Sequence, residues 1–177
     1  LEEFTGKKLD YDRLKEMLRR ELKAWECFSE VQEMRRNIPC PVGGEDILGN
    51  IAILMLMPGL EEEVEFYRTL VEEVRERVKN GVGVIPEERY RLYYAHIPPW
   101  FTLEFFTYPH NFNAVVVFEE YDSDFHPFRY LELFDPEKPL EFLTKKLRYA
   151  LVSNLTWKER IDMMFNIVRD YRVDGAI

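Results

Sequence analysis

The sequence predicts an α/β chain: a small parallel sheet of three strands flanked by helices, behind an N-terminal helical region. Three observations carry this. Two apolar runs, Arg91–His96 and Asn113–Phe118, are separated by a helix-length segment. Such a pair reads as a parallel βαβ unit with a right-handed crossover. A third apolar run, Val173–Ile177, follows two more helical patterns, and apolar steps of three and four mark residues 10–80.

The elements follow in order. Asp10 is placed to cap a helix, because its carboxylate can accept from the free N–H groups of a first turn. From there to Arg36, Leu14, Met17, Leu18, Leu22, Trp25, Phe28, Val31 and Met34 form one stripe. At ~1.5 Å per residue this helix is on the order of 40 Å long. It therefore packs against later helices or against a domain outside the sequence. The Asn37–Gly44 stretch is a Pro/Gly breaker. Residues 45–57 are a second helix, broken at Pro58-Gly59. Residues 60–80 are a third, stopped at Asn80-Gly81. Glu61, Glu62 and Glu63 suit the positive end of that helix as a solvated start, with a metal site as the lesser alternative.

After a linker come the first strand to His96, a short helix Phe101–Tyr108 closed by Pro109, and a second strand Ala114–Phe118. Tyr121–Pro139 is a long aromatic loop, of a length that is often functional. Pro139 starts a helix through Val152, and Thr156 with Glu159 forms a capping box for Trp157–Tyr171. The expected organisation is a helical region, 1–80, and a flavodoxin- or Rossmann-like domain, 88–177, with strand order 2-1-3.

Composition narrows the function. With 177 residues, 46% of them hydrophobic, there is material for one core with a helical appendage. A net charge of −9 and a pI near 5.0 argue against a nucleic-acid binder. The two cysteines, Cys27 and Cys40, match neither a disulfide framework nor a zinc site, so a cytoplasmic, reducing location is expected. The longest apolar run, Ile51–Met57, is far short of the ~20 residues a membrane span needs. Residues 1–13 are charged and helical, unlike a signal peptide. A chain that opens on Leu1 and closes on a beginning strand reads as a domain excised from a longer protein. No GxGxxG, Walker or GxSxG motif is present.

In open parallel sheets, ligands sit beyond the carboxyl ends of the strands. That directs attention to Ile97-Pro98-Pro99-Trp100 and to Glu119–Asp124. Two prolines stiffen the first loop and remove two donors. It is either a wall of a binding site or a stiff turn around a buried Trp100. His96 lacks a partner in sequence and reads as structural. His110 and His126 are weaker candidates. Glu119, Glu120, Asp122 and Asp124 could hold Mg²⁺, but a polar loop is the favoured reading. Gly175, after Asp174, is expected to mark a close backbone approach.

The order Arg91-Leu92, Ile97-Pro98-Pro99-Trp100, Ala114-Val115-Val116-Val117 with Glu120-Tyr121, and Tyr171–Ile177 resembles the 2-hydroxyacyl-CoA dehydratase and benzoyl-CoA reductase family. The lead-in Leu1–Leu9 and the Arg36–Gly44 loop are similar to that family's middle region, so the likeness spans nearly the whole chain. The resemblance implies a subunit of an oxygen-sensitive enzyme that can carry a [4Fe-4S] cluster on cysteines. It implies a homologous second subunit, an ATP-hydrolysing activator protein and an acyl-CoA substrate, dehydrated or reduced through a radical. It makes His96, Pro98, Pro99, Trp100, Glu120 and Tyr121 candidates for lining the substrate site. The cluster cysteines of the family fall outside this span. Cys27 and Cys40 match neither position, so this chain is expected to bind no cluster. His96 stands where the family often has glycine. Asn113 replaces another glycine, a mild change because Asn tolerates the left-handed conformation.

Overall fold

The computed structural model describes residues 2–95, 97–124, 130–149 and 154–177, with side chains described for all of these but Ser123 and Asp124. A single helical turn, α1 (Glu2–Thr5), precedes α2 (Tyr11–Met34). Asp10 caps α2 by accepting from Arg13 N at 2.9 Å. Then come α3 (Gly44–Leu56) and α4 (Glu61–Lys79). The end of α4 is a Schellman motif: Gly81, at φ +64°, donates to Val78 O, and Val82 donates to Arg77 O. The sheet is built from β1 (Tyr90–Tyr94), β2 (Ala114–Glu119) and, after α5 (Pro139–Tyr149) and α6 (Trp157–Asp170), β3 (Gly175–Ala176). All pairings are parallel, in the order β2-β1-β3, as the alternation of apolar runs and helices predicts.

Burial explains where each element lies. α2 packs along α4 and α5, so its length is used by later helices. Trp25 stacks on Phe142 with centroids 5.5 Å apart and meets Phe134 edge-on at 5.1 Å. Such ring pairs add about 0.5–1.5 kcal/mol each beyond their area. Every residue of β2 is buried. Val115 and Val117 face Met163 and Ile167 of α6, while Val116 packs with Leu48 of α3 on the other side. A continuous apolar strand is what a sheet covered on both faces requires.

Several expectations change. The segment 101–108 is not one helix closed by Pro109. It forms two 3₁₀ turns, Leu103–Phe106 and Tyr108–Phe112, with Pro109 inside the second. Proline has no N–H for an α-helical ladder but fits the first residues of a new turn. Strand three shrinks to two residues, although Asp174 N and Ile177 N still donate to β1 carbonyls. The long loop is partly ordered by 3₁₀ turns at Glu120–Asp124 and Leu131–Leu133, and Phe134 is a core residue. Its residues 125–129 lie outside the described residues, as do 150–153 at the expected end of α5. Glu63 is not solvated: it is fully buried and accepts from Gly59 N at 2.7 Å. Gly175 marks no close approach, since a Cβ there would meet only Leu92 Cδ2 at 3.5 Å. Asn113 does adopt the left-handed conformation, at φ 56°.

Candidate functional site

Parallel pairing puts the carboxyl ends of all three strands at one edge. The residues after β1 and after β2 meet there, because Tyr94 is in register with Glu119. The chain leaves β1 through Ile97, whose carbonyl accepts from Tyr94 Oη at 3.0 Å. It then turns at the prolines: Trp100 N donates to Pro98 O and Thr102 N to Pro99 O, each at 2.9 Å. Pro98 is buried and Pro99 half-buried. Trp100 is not a buried anchor; it is 47% exposed. Its ring meets Tyr121, from the turn after β2, edge-on with centroids 5.2 Å apart.

Of the residues singled out from sequence, then, Trp100, on the turn that Pro98 and Pro99 shape, and Tyr121, on the turn after β2, come together. Glu120 points elsewhere: both its oxygens accept from Arg160 of α6, at 2.8 and 3.0 Å. The Tyr93 hydroxyl is buried beside it without a hydrogen bond of ordinary geometry, and burial followed by the Glu120 charge pushes its ionisation up. His96 and His126 lie outside the described residues. His110 sits in the second 3₁₀ turn with Nε2 3.8 Å from Glu45 Oε1; burial lowers the imidazole and raises the Glu45 carboxyl.

The acidic run after β2 is not a solvated polar loop. Glu119, Glu120 and Asp122 are 0%, 3% and 2% exposed. Glu119 forms a two-pronged pair with Arg35, the residue that ends α2, at 2.7 and 2.8 Å. Burial alone would lower Arg35, but the Glu119 charge and hydrogen bonds outweigh it and hold the guanidinium above its ordinary value. Arg91 does similar work on β1. It donates to Arg35 O at 2.7 Å, Asn37 O at 3.0 Å and Tyr171 O at 2.5 Å, and it pairs with Glu88. The carboxyl ends of α2 and α6 thus converge on one cation, as their dipoles favour.

Sequence reading passed over Arg35, Gln32 and Arg160. A signal existed for the first two: Leu18, Glu21, Trp25, Phe28, Gln32 and Arg35 are spaced by alternating steps of three and four, one buried face. Polar members of that face need buried partners.

The thiols do not suit an iron–sulfur cluster. Cys27 and Cys40 are free and buried, and burial raises both thiols. Cys40 Sγ donates to Val42 O at 3.1 Å. Cluster ligation needs convergent thiolates. Among the described residues no group of three or more His, Cys, Asp or Glu could hold a metal. Two clefts, of about 250 and 550 Å³, lie on the helical half, between α3 and α4 and between α2 and α4. Neither borders the Trp100 turn. No described helix is long and apolar enough to cross a membrane.

A benzoyl-CoA reductase subunit of Thauera aromatica is 29% identical across 99% of this chain and 43% of its own length. The alpha subunit of (R)-2-hydroxyglutaryl-CoA dehydratase of Acidaminococcus fermentans is 24% identical across 100% of the chain and 36% of its own. The (R)-phenyllactyl-CoA dehydratase alpha subunit of Clostridium sporogenes is 24% identical, across 100% and 42%. The chain thus spans about two fifths of the length of these curated relatives. Matched over residues 1–177 by the model of the 2-hydroxyglutaryl-CoA dehydratase D-component, it belongs to that family.

Proposed function

We propose that this chain is the α/β part of an acyl-CoA dehydratase or reductase subunit, and that its sheet edge walls the thioester site. The observation that carries the reading is the Trp100–Tyr121 contact, made by the two loops that follow neighbouring parallel strands. Pro98 and Pro99 set the wall's backbone without N–H donors to solvate. Trp100 and Tyr121 offer it flat apolar surface that excludes water. His96 immediately precedes the turn. Glu120, the residue before Tyr121, is paired with Arg160 of α6. Residues 1–80 act as a helical support and 88–177 as the substrate-facing unit.

In this reading the whole enzyme works with a homologous second subunit and an ATP-hydrolysing activator protein. It dehydrates a 2-hydroxyacyl-CoA or reduces an aromatic acyl-CoA. A [4Fe-4S] cluster supplies the one-electron chemistry. Cys27 and Cys40 do not fit it, so its ligands come from cysteines beyond this span.

The test is anaerobic turnover of 2-hydroxyacyl-CoA and benzoyl-CoA substrates by the full-length protein with partner and activator. Trp100→Ala is expected to lower kcat/KM by about tenfold, the loss of roughly 1.4 kcal/mol of contact. An iron-free preparation after anaerobic reconstitution, or a Trp100→Ala enzyme with unchanged kcat/KM, overturns the reading.

A second reading, an interaction domain, is favoured by the outer face of α6. Trp157, Ile161, Phe165 and Val168 stand there 78%, 47%, 71% and 42% exposed. Full acyl-CoA activity in a variant with that face made polar argues against it.

A further inference from the structure

The turn after β2 contains a carboxyl group that its surroundings do not neutralise. Asp122 Oδ2 accepts one hydrogen bond, from Gln32 Nε2 at 3.0 Å, while Oδ1 is sealed from solvent without a partner. Arg35 has nothing left to offer. A guanidinium has five N–H donors. Here they go to Val42 O, Gln32 Oε1, Val116 O and the two oxygens of Glu119. Gln32 accepts from Arg35 at its oxygen and gives one amide N–H to Asp122 Oδ2. The groups facing Asp122 are Glu119 from β2, Arg35 and Gln32 from α2, and Tyr67 from α4. Two carboxyl groups therefore share one cation in a fully buried place.

We propose that Asp122 is a neutral carboxylic acid in the folded protein, that its Oδ1 proton is shared with Glu119, and that this proton latches the Glu120–Asp124 turn onto the Glu119–Arg35 pair that joins β2 to the end of α2. The proton supplies the partner that Oδ1 lacks and brings the buried group to zero net charge. Burial first, and the neighbouring Glu119 second, favour the neutral acid. Glu119 keeps the negative charge because it faces the guanidinium and abuts the amino end of α3. A Cβ on Gly44, the first residue of α3, would come within 2.5 Å of Glu119 Oε1. Tyr121 and Glu120 are held by the same turn, so the latch sets the position of the Trp100–Tyr121 contact. It rests on this geometry and not on the acyl-CoA reading.

The test compares the full chain with Asp122→Asn, which has the same shape and cannot ionise. An acid that is neutral when folded and ionised when unfolded loses stability as pH rises above the unfolded value, ~3.9 for Asp. The two proteins are expected to unfold at temperatures within about 3 °C of each other near pH 5. The margin in favour of Asp122→Asn then widens steadily to pH 8. A margin that stays flat, or that favours the wild type throughout, overturns the latch. A readout free of any folding defect in the variant is the ¹³C carboxyl shift of Asp122 in the wild type. It should sit at the protonated value at pH 7; an ionised value overturns the latch.

Discussion

Arg35, at the end of α2, and Glu119, at the end of β2, form a two-pronged ion pair at 2.7 and 2.8 Å, with both side chains 0% exposed. The pair joins the helical half to the strand edge where the candidate site lies. Replacing Arg35 by Met leaves Glu119 buried without its cation. The expected cost is about 3–5 kcal/mol. Arg35→Lys should recover only part of it, because an ammonium cannot match the guanidinium's five donors. Thermal unfolding of the single variants and of Arg35→Met with Glu119→Gln measures the coupling. A single-variant cost below about 1 kcal/mol, typical of a surface pair, is the outcome that would exclude a buried role.

Glu63 gives a pH dependence of opposite sign to most carboxylates. Burial pushes it up to about 8, against the Gly59 N–H that lowers it, with Glu21 adding to the rise. Its Oε1 has no partner. A carboxyl raised in the folded state costs stability as pH climbs from the unfolded value, ~4.3, to the folded one. Glu63→Gln keeps an acceptor for Gly59 and removes that cost. Its Tm should match the wild type near pH 4.5 and exceed it at pH 9, the margin opening between those two values. Parallel Tm curves across that range would remove Glu63 from the account.

Thr156 and Glu159 form a reciprocal capping box on α6: Thr156 accepts from Glu159 N, and Glu159 accepts from Thr156 N at 2.7 Å. Thr156→Ala is expected to cost about 1 kcal/mol. Those Thr156 hydrogen bonds, with Arg148, hold the Glu159 carboxyl down at about 2. Its contribution is present above the unfolded value and fades as pH falls toward 2. Acid titration followed by circular dichroism should therefore show less acid sensitivity in Thr156→Ala.

Asn113 ends the crossover at φ 56° and starts β2. Asn113→Gly should be neutral within about 0.5 kcal/mol, and Asn113→Val should cost about 1–2 kcal/mol from left-handed strain alone. Denaturant midpoints of the two variants check this; equal midpoints would remove the strain argument.

Much of this was legible before any coordinates. Asp10, the Asn80-Gly81 stop and the Thr156–Glu159 box act within a few residues, so their chemistry is written locally. The strand order follows from two apolar runs with helical spacers and a handed crossover. The Pro98-Pro99-Trp100 turn was visible as a stiff feature, but its neighbour was not, since Tyr121 stands 21 positions after Trp100.

The sequence by itself determined the helix caps, the parallel sheet and the family, because periodicity, capping and motif order are properties of nearby residues. Only the tertiary structure decided which charges are buried. Arg35 and Glu119 are 84 residues apart, and Gln32 and Asp122 are 90 apart. Whether an acidic run after a strand is solvated or neutralised depends on what folds over it. Here the end of α2 does, and it turns an apparent polar loop into the fastening beneath the candidate site.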